Sequence, residues 1–105
     1  MESNKLILEA IALHKAITAT YNRMVATLAP HILYTRHGEL YLDAVTIERD
    51  GQPPREVKLG AFKVTGLTEL ALTNQTFEPV PFFNPDDPKY VAATLFSVET
   101  QSSVS

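Results

Sequence analysis

The segment ELYLDAVTIE, residues 39–48, constrains the fold more than any other part of the chain because its residue types alternate. Alternation with a period of two is typical of a β-strand. One face would carry Leu40, Leu42, Ala44 and Thr46, and the other Tyr41, Asp43, Val45 and Ile47. Apolar groups lie on both faces, so neither face is marked as the solvent side. We predict a strand here, preceded by a turn at His37 and Gly38.

The remaining segments predict further strands and two helices. We expect a helix over 4–15, strands over 16–21 and 57–64, extended chain over 24–36 and 67–73, a loop over 79–87 and a short helix over 88–96. Apolar residues at three- and four-residue spacing favour the first helix, and Asp87 followed by Pro88 favours the second. Pro30 disfavours a regular central strand in its segment. The order predicts a small, strongly bent sheet or partly open barrel of about five strands.

Length and composition indicate one domain. The chain has 105 residues, 45% of them hydrophobic, and contains no cysteine. A chain of this length can bury a modest core without a disulfide. We assign residues 1–96 to the domain, place the barrel over about 16–78, and expect a flexible tail over 97–105.

The charge distribution limits the classes of partner. A net charge of −3 argues against broad nonspecific binding to nucleic acid. Residues 31–66 nevertheless carry five basic side chains, which allows a local basic patch. The first residues show neither a concentrated basic region nor a long apolar run. We therefore expect no secretory signal, no membrane span and a cytoplasmic location.

Three segments resemble the WYL domain family, which is named for a Trp-Tyr-Leu strand. They are AITATYN (16–22), APHILYTRHGELYLDAV (29–45) and VKLGAFKVTGLTELALTNQTFEP (57–79). The triplet Leu40-Tyr41-Leu42 is similar to the naming strand, with leucine in place of tryptophan. Phe62-Lys63-Val64 resembles a later Phe-Arg-Leu strand of the family, and the resemblance extends over roughly residues 10–83.

The resemblance implies both a fold and a function. The fold would be mainly β with flanking helices: a five-stranded, strongly bent Sm-like barrel with an N-terminal helix and a short C-terminal helix. The function would be that of a mostly bacterial sensor domain, which binds nucleic acid or another ligand through a basic and aromatic face. Family members often carry a helix-turn-helix domain, whereas we expect a stand-alone, divergent member without one here. Two places where the family usually has arginine hold Ala26 and Gly66 here.

Aromatic and basic residues supply a candidate ligand site. Tyrosine rings can stack on a base, and cationic side chains can contact phosphate. The residues assigned to this site are Tyr41, Lys63, Tyr21, Arg23, Arg36, His31 and Lys58, with Tyr34 as a further stacking candidate. Lys63 occupies the arginine place of the resembled Phe-Arg-Leu strand. The alternative interpretation is that the tyrosine rings pack within the sheet and the lysine keeps the surface soluble.

Other site chemistries receive little support from the sequence. His31 and His37 flank one extended segment and could approach a metal with Asp43, but their spacing matches no ligand motif. The sequence also lacks the nucleophile elbow, the zinc-protease helix and the phosphate-binding loop. We therefore expect no enzyme, no metal and no cofactor.

Two functions remain open from the sequence. The first is a ligand-sensing or regulatory module that binds a nucleotide, single-stranded nucleic acid or a similar anion. The alternative is a structural, protein-interaction or homo-oligomerisation module with no small ligand. Phe82 and Phe83 would then contact a protein partner or a second copy, because exposed apolar patches mark interaction surfaces. The same two residues could instead close the chain's own core.

Overall fold

The computed structural model describes residues 2–90 and 94–97 and is mainly β. One α-helix, α1, precedes the sheet at Glu2–Leu13. The strands are β1 (Lys15–Tyr21), β2 (Met24–Arg36), β3 (Glu39–Arg49), β4 (Leu59–Lys63), β5 (Thr68–Thr76) and β6 (Thr94–Ser97). Short 3₁₀ turns lie at Val64–Gly66 and Pro88–Tyr90. The predicted helix over 4–15 and the strands around 16–21, 39–48 and 57–64 are therefore confirmed, with small shifts of their ends.

The strands form one antiparallel sheet in the order β4-β3-β2-β1-β5. β3 covers one edge of β2 along most of its length. The other edge of β2 is shared, because β1 pairs with residues 24–28 and β6 with residues 32–34. The long strand β2 is thus the centre of the sheet.

The sheet curls strongly. In a flat sheet, β1 and β4 would lie three strand intervals apart, about 14 Å, yet the ring centroids of Tyr21 on β1 and Phe62 on β4 are 5.2 Å apart. The two ends of the sheet are also joined by a short link: only four residues separate β4 from β5, and three of them form a 3₁₀ turn. β4 and β5 are not paired with each other in the described chain. The predicted barrel is therefore confirmed only as a curled, open sheet.

Helix α1 closes one side of this sheet. Ile7, Ala10 and Ile11 are fully buried, and the helix packs against β1, β2 and β5. The helix ends two residues earlier than predicted because His14 adopts a left-handed conformation, with φ of 56°. Its apolar stripe is what the sequence spacing indicated.

Pro30 leaves β2 continuous but irregular. The register between β2 and β3 runs from Pro30 opposite Ala44 to Ile32 opposite Asp43, so His31 is an extra residue without a cross-strand partner. Proline has no N–H to donate to the ladder, and a β-bulge accommodates it. The bulge matters for the site because its extra residue, His31, is fully buried.

The predicted C-terminal helix over 88–96 is wrong. Pro88–Tyr90 is a single 3₁₀ turn, closed by a hydrogen bond from Tyr90 N–H to the Asp87 carbonyl at 2.9 Å. Thr94–Ser97 is a strand that pairs with β2. The physical reason is non-local: β1 leaves the far end of one β2 edge uncovered, and β6 satisfies those backbone groups. Residues 98–105, most of the predicted tail, lie outside the described residues.

Candidate ligand-binding site

A small pocket lies on the side toward which the sheet curls, and we call it the concave pocket. It encloses about 120 Å³ and is lined by Tyr21, Asn22, Met24, Ala26, Thr46, Arg49 and Phe62. Register explains why these residues meet. Tyr21 lies opposite Met24 across a two-residue turn, and Ala26 lies opposite Arg49. Both residues of that turn have positive φ, which is the conformation of the tight hairpins that match the twist of the strands.

Two aromatic rings form the wall of the concave pocket. The Tyr21 and Phe62 rings meet edge to face, with an interplanar angle of 78°. Gly66 lies directly behind Tyr21, because a Cβ at this position would be 3.2 Å from the tyrosine Cε1. Because the two rings are nearly perpendicular, a planar group can stack on the face of one ring while its edge packs against the other ring. A planar apolar group fits this geometry.

Arg49 supplies the positive charge at the rim. Its side chain is exposed and forms no ion pair with a described carboxylate. The two places where the resembled family carries arginine also fall here: Ala26 lines the pocket, and Gly66 touches Tyr21. Arg49 lies directly opposite Ala26 in the register between β2 and β3.

The opposite, outer face of β2 and β3 carries the predicted Tyr41 surface. Tyr41 lies opposite Tyr34 on one side and opposite Lys63 on the other. Its ring stacks on Tyr34 with centroids 6.0 Å apart, and the Arg36 guanidinium carbon lies 5.7 Å from the Tyr41 centroid. The structure thus brings three predicted site residues together: Tyr41, Arg36 and Lys63.

One of the two cations of this outer surface, Lys63, is already paired with an acid. Lys63 Nζ lies 2.7 Å from a carboxylate oxygen of Glu39, and the hydrogen bond raises the pKa of Lys63. Lys63 also borders a wide, shallow groove of about 820 Å³ between α1 and the β2–β3 turn, together with Glu39 and Asn4. An anion arriving here would have to compete with Glu39. Arg36 likewise already lies against the Tyr41 ring, which a stacked ligand would need.

A buried carboxylate lies further along the same face. Asp43 is 1% exposed and accepts hydrogen bonds from the hydroxyls of Tyr34, at 2.7 Å, and Tyr90, at 2.5 Å. Burial and these hydrogen bonds raise the pKa of both tyrosines. Because Tyr90 belongs to the returning segment and Tyr34 to β2, the three side chains fasten that segment to the sheet. The alternative interpretation of buried tyrosine rings therefore applies to Tyr34.

His31 has the same fastening role. Its Nε2 lies 3.1 Å from the backbone N–H of Val80, which can only donate, so Nε2 accepts and the proton resides on Nδ1. Nδ1 then donates to the Ala29 carbonyl at 2.8 Å. Burial lowers the pKa of His31. The rings of Phe77 and Phe83 pack against the imidazole, with centroids 5.3 and 5.1 Å away. His31 is thus not accessible to a ligand.

The other predicted site residues lie apart from both surfaces. Arg23 is exposed in the turn between β1 and β2, and Lys58 is exposed in the loop before β4. Phe83 is buried and closes the chain's own core, whereas Phe82 is 55% exposed. The seven predicted ligand residues therefore do not form one site. Arg49 and Phe62, which border the concave pocket, were not among them.

Within residues 2–90 and 94–97, no three histidine, aspartate or glutamate side chains are arranged to hold a metal ion. No described helix is long and apolar enough to cross a membrane. Comparison with protein-family models, with curated proteins and with solved structures finds no match.

Proposed function

We propose that the chain is a ligand-binding, regulatory module of the WYL type and that its ligand is a planar, anionic molecule bound in the concave pocket. The observation that carries this proposal is the aromatic corner of Tyr21 and Phe62 beside Arg49, which forms no ion pair with a described carboxylate. Stacking on such rings contributes about 1–3 kcal/mol per base. A guanidinium adds a charge-assisted hydrogen bond to an anionic substituent.

The resemblance supports the same direction. A leading helix followed by a curled antiparallel sheet agrees with the small Sm-like fold that the WYL family implies. Tyr21, one of the predicted ligand residues, lines the concave pocket. The surface around Tyr41 and Lys63 is the weaker candidate, because Glu39 already occupies the lysine and Arg36 already occupies the ring.

Isothermal titration with adenosine monophosphate and uridine monophosphate at low salt tests the proposal. Tyr21→Leu should weaken binding by about five- to 150-fold, which corresponds to the loss of one stacking contact. The matched control is Tyr41→Leu, which removes a half-buried strand tyrosine from the other face and should leave affinity unchanged. No binding by the wild type, or equal losses in both variants, would contradict the proposal.

Self-association is a second candidate function. The exposed ring of Phe82 follows directly on the segment that His31 anchors, so it is held at the surface rather than free to fold inward. Sedimentation velocity of the wild type and of Phe82→Ser would test this. A monomer at all concentrations in both samples would remove this candidate.

A further inference from the structure

A second cationic surface adjoins the concave pocket, in the loop between β3 and β4. It is a groove of about 410 Å³, which we call the loop groove, and its charged lining residues are Arg49, Arg55, Glu56 and Lys58. The lining thus carries three positive charges and one negative charge. None of the three forms an ion pair with a described acid, and all are exposed. An uncompensated group of this kind attracts an anion with more than one charge.

Arg49 links the loop groove to the concave pocket, because this residue borders both. The concave pocket alone has room for a single ring system, since sites for whole small-molecule ligands usually measure about 300–1,000 Å³. The two spaces taken together reach that range. A ligand that fills both would carry a planar ring at one end and negative charge at the other.

The loop is held in place at its base. Arg49 and Gln52 exchange backbone hydrogen bonds of 2.8 and 2.9 Å. Asp50 binds the start of β2: its N–H donates to the Val25 carbonyl at 2.8 Å, and its carboxylate accepts from the Val25 N–H at 3.2 Å. Asp50, the acid that follows Arg49 in sequence, is therefore engaged with backbone. Pro53 and Pro54 stiffen the rest of the loop, which limits the ordering that an anion must impose.

We infer that the ligand is a nucleoside di- or triphosphate, with its base packed against the corner that Tyr21 and Phe62 form, its first phosphate at Arg49 and its outer phosphates at Arg55 and Lys58. This inference rests on the proposed function. It goes further by naming the class of ligand and by assigning the loop groove, of whose lining the sequence had marked only Lys58 as a ligand residue. Neither a neutral ring nor a monophosphate would use all three cations.

A series of adenosine nucleotides with increasing numbers of phosphates tests the inference. Adenosine, its mono-, di- and triphosphate are titrated calorimetrically into the whole chain at low salt, with a chelator to remove divalent cations. In the wild type, the diphosphate should bind about tenfold more tightly than the monophosphate, because it adds charge-assisted contacts. In Arg55→Gln/Lys58→Gln, this gain should disappear while monophosphate affinity stays the same. The control Arg36→Gln/Lys63→Gln removes the same charge from the outer face and should still bind the diphosphate more tightly than the monophosphate.

The outcomes separate the two claims. If the monophosphate binds and Tyr21→Leu weakens it, but the diphosphate binds no better, the proposed function survives and the inference is overturned. The inference is also overturned if Arg55→Gln/Lys58→Gln still binds the diphosphate more tightly than the monophosphate. If a single-stranded oligonucleotide binds more tightly than the triphosphate and is unaffected by those substitutions, the ligand class is wrong. Absence of all nucleotide binding overturns both claims. Circular dichroism of each variant confirms that these exposed substitutions leave the fold intact.

Discussion

The outer face of β2 and β3 and the concave pocket contain similar residue types but use them differently. On the outer face, Asp43 accepts two tyrosine hydroxyls, and both ring nitrogens of His31 have partners. Lys63 is paired with Glu39. At the concave pocket, by contrast, Arg49 has no described carboxylate partner, and an aromatic corner remains open.

This difference assigns a structural role to the outer face and a ligand-binding role to the concave pocket. Buried polar groups need partners, and a fully satisfied network fixes one conformation rather than binding something else. The outer network fastens residues 77–90 onto the sheet through Tyr90, Val80 and Phe83. Groups with unused binding capacity lie on the other side. The comparison therefore predicts that changes on the outer face alter stability, whereas changes at the concave pocket alter ligand affinity.

The largest expected effect is that of Asp43→Ala. The substitution leaves the buried hydroxyls of Tyr34 and Tyr90 without their carboxylate acceptor, and hydrogen bonds to a charged group contribute about 1.5–3 kcal/mol each. We expect the free energy of unfolding in urea to fall by about 3–5 kcal/mol. Asp86→Ala, which removes an exposed carboxylate from the same returning segment, is the control and should change little. A loss below about 1 kcal/mol for Asp43→Ala would mean that this network does not hold the segment.

Arg49→Gln should have the reverse profile. Removing the guanidinium should weaken nucleoside monophosphate binding by about tenfold or more, since hydrogen bonds between charged groups are the stronger class. The free energy of unfolding should change by no more than about 0.5 kcal/mol, because the side chain is exposed. Titration calorimetry and urea unfolding of the same sample measure both. A destabilised variant with normal affinity would reverse the proposed division between the two faces.

His31 predicts a pH dependence of intermediate size. Burial lowers its pKa below 6.5, and His14 nearby lowers it further, while the Ala29 carbonyl and Asp43 oppose the shift. The unfolded chain therefore binds a proton on His31 below about pH 6.5 that the folded chain does not bind. Stability is full above that pH and decreases as the pH falls, by at most about 1.4 kcal/mol per pH unit.

Urea unfolding between pH 7.5 and 5.5 measures this effect. His31→Asn should be less stable at neutral pH but should show a shallower loss on acidification than the wild type. His37→Asn, at the exposed turn between β2 and β3, is the control and should keep the wild-type slope. Parallel curves for the wild type and His31→Asn would show that another group causes the dependence.

The smallest effect should come from the ion pair of Lys63 and Glu39. Both side chains are about half exposed, at 45% and 51%. Exposed pairs contribute little because water and salt screen them. Lys63→Gln should therefore leave unfolding unchanged within error. Nucleotide affinity should also stay unchanged in Lys63→Gln. Weaker nucleotide binding by this variant would mean that the outer face contributes to the ligand site.

Local patterns in the sequence predicted the local elements. The alternation in 39–48 gave β3, the apolar spacing in 4–15 gave α1, and Pro30 marked the irregularity in β2. The strand β6 could not be found in this way. Its pairing with β2 depends on an edge that β1 leaves uncovered, and this follows from the whole sheet rather than from residues 94–97 themselves.

The site was predictable only in part, for the same reason. Tyr21 and Tyr41 both occupy alternating strands, and nothing local places them on opposite faces of a curled sheet. Lys63 looked like a free cation until the fold placed Glu39 beside it. Arg49 follows the predicted strand over 39–48, and its position opposite Ala26 depends on strand register. Phe62 was recognised within a strand motif, but its contact with Tyr21 depends on the curl of the sheet.

In the proposed function, the concave pocket binds the ligand and the outer face does not. Nuclear magnetic resonance tests it most directly, by following backbone and aromatic resonances while adenosine diphosphate is added. We predict that the shifts concentrate at Tyr21, Phe62 and Arg49, extend to Arg55 and Lys58, and spare Tyr41 and Lys63. Shifts centred on Tyr41 and Lys63, or no shifts at millimolar nucleotide, would contradict the claim.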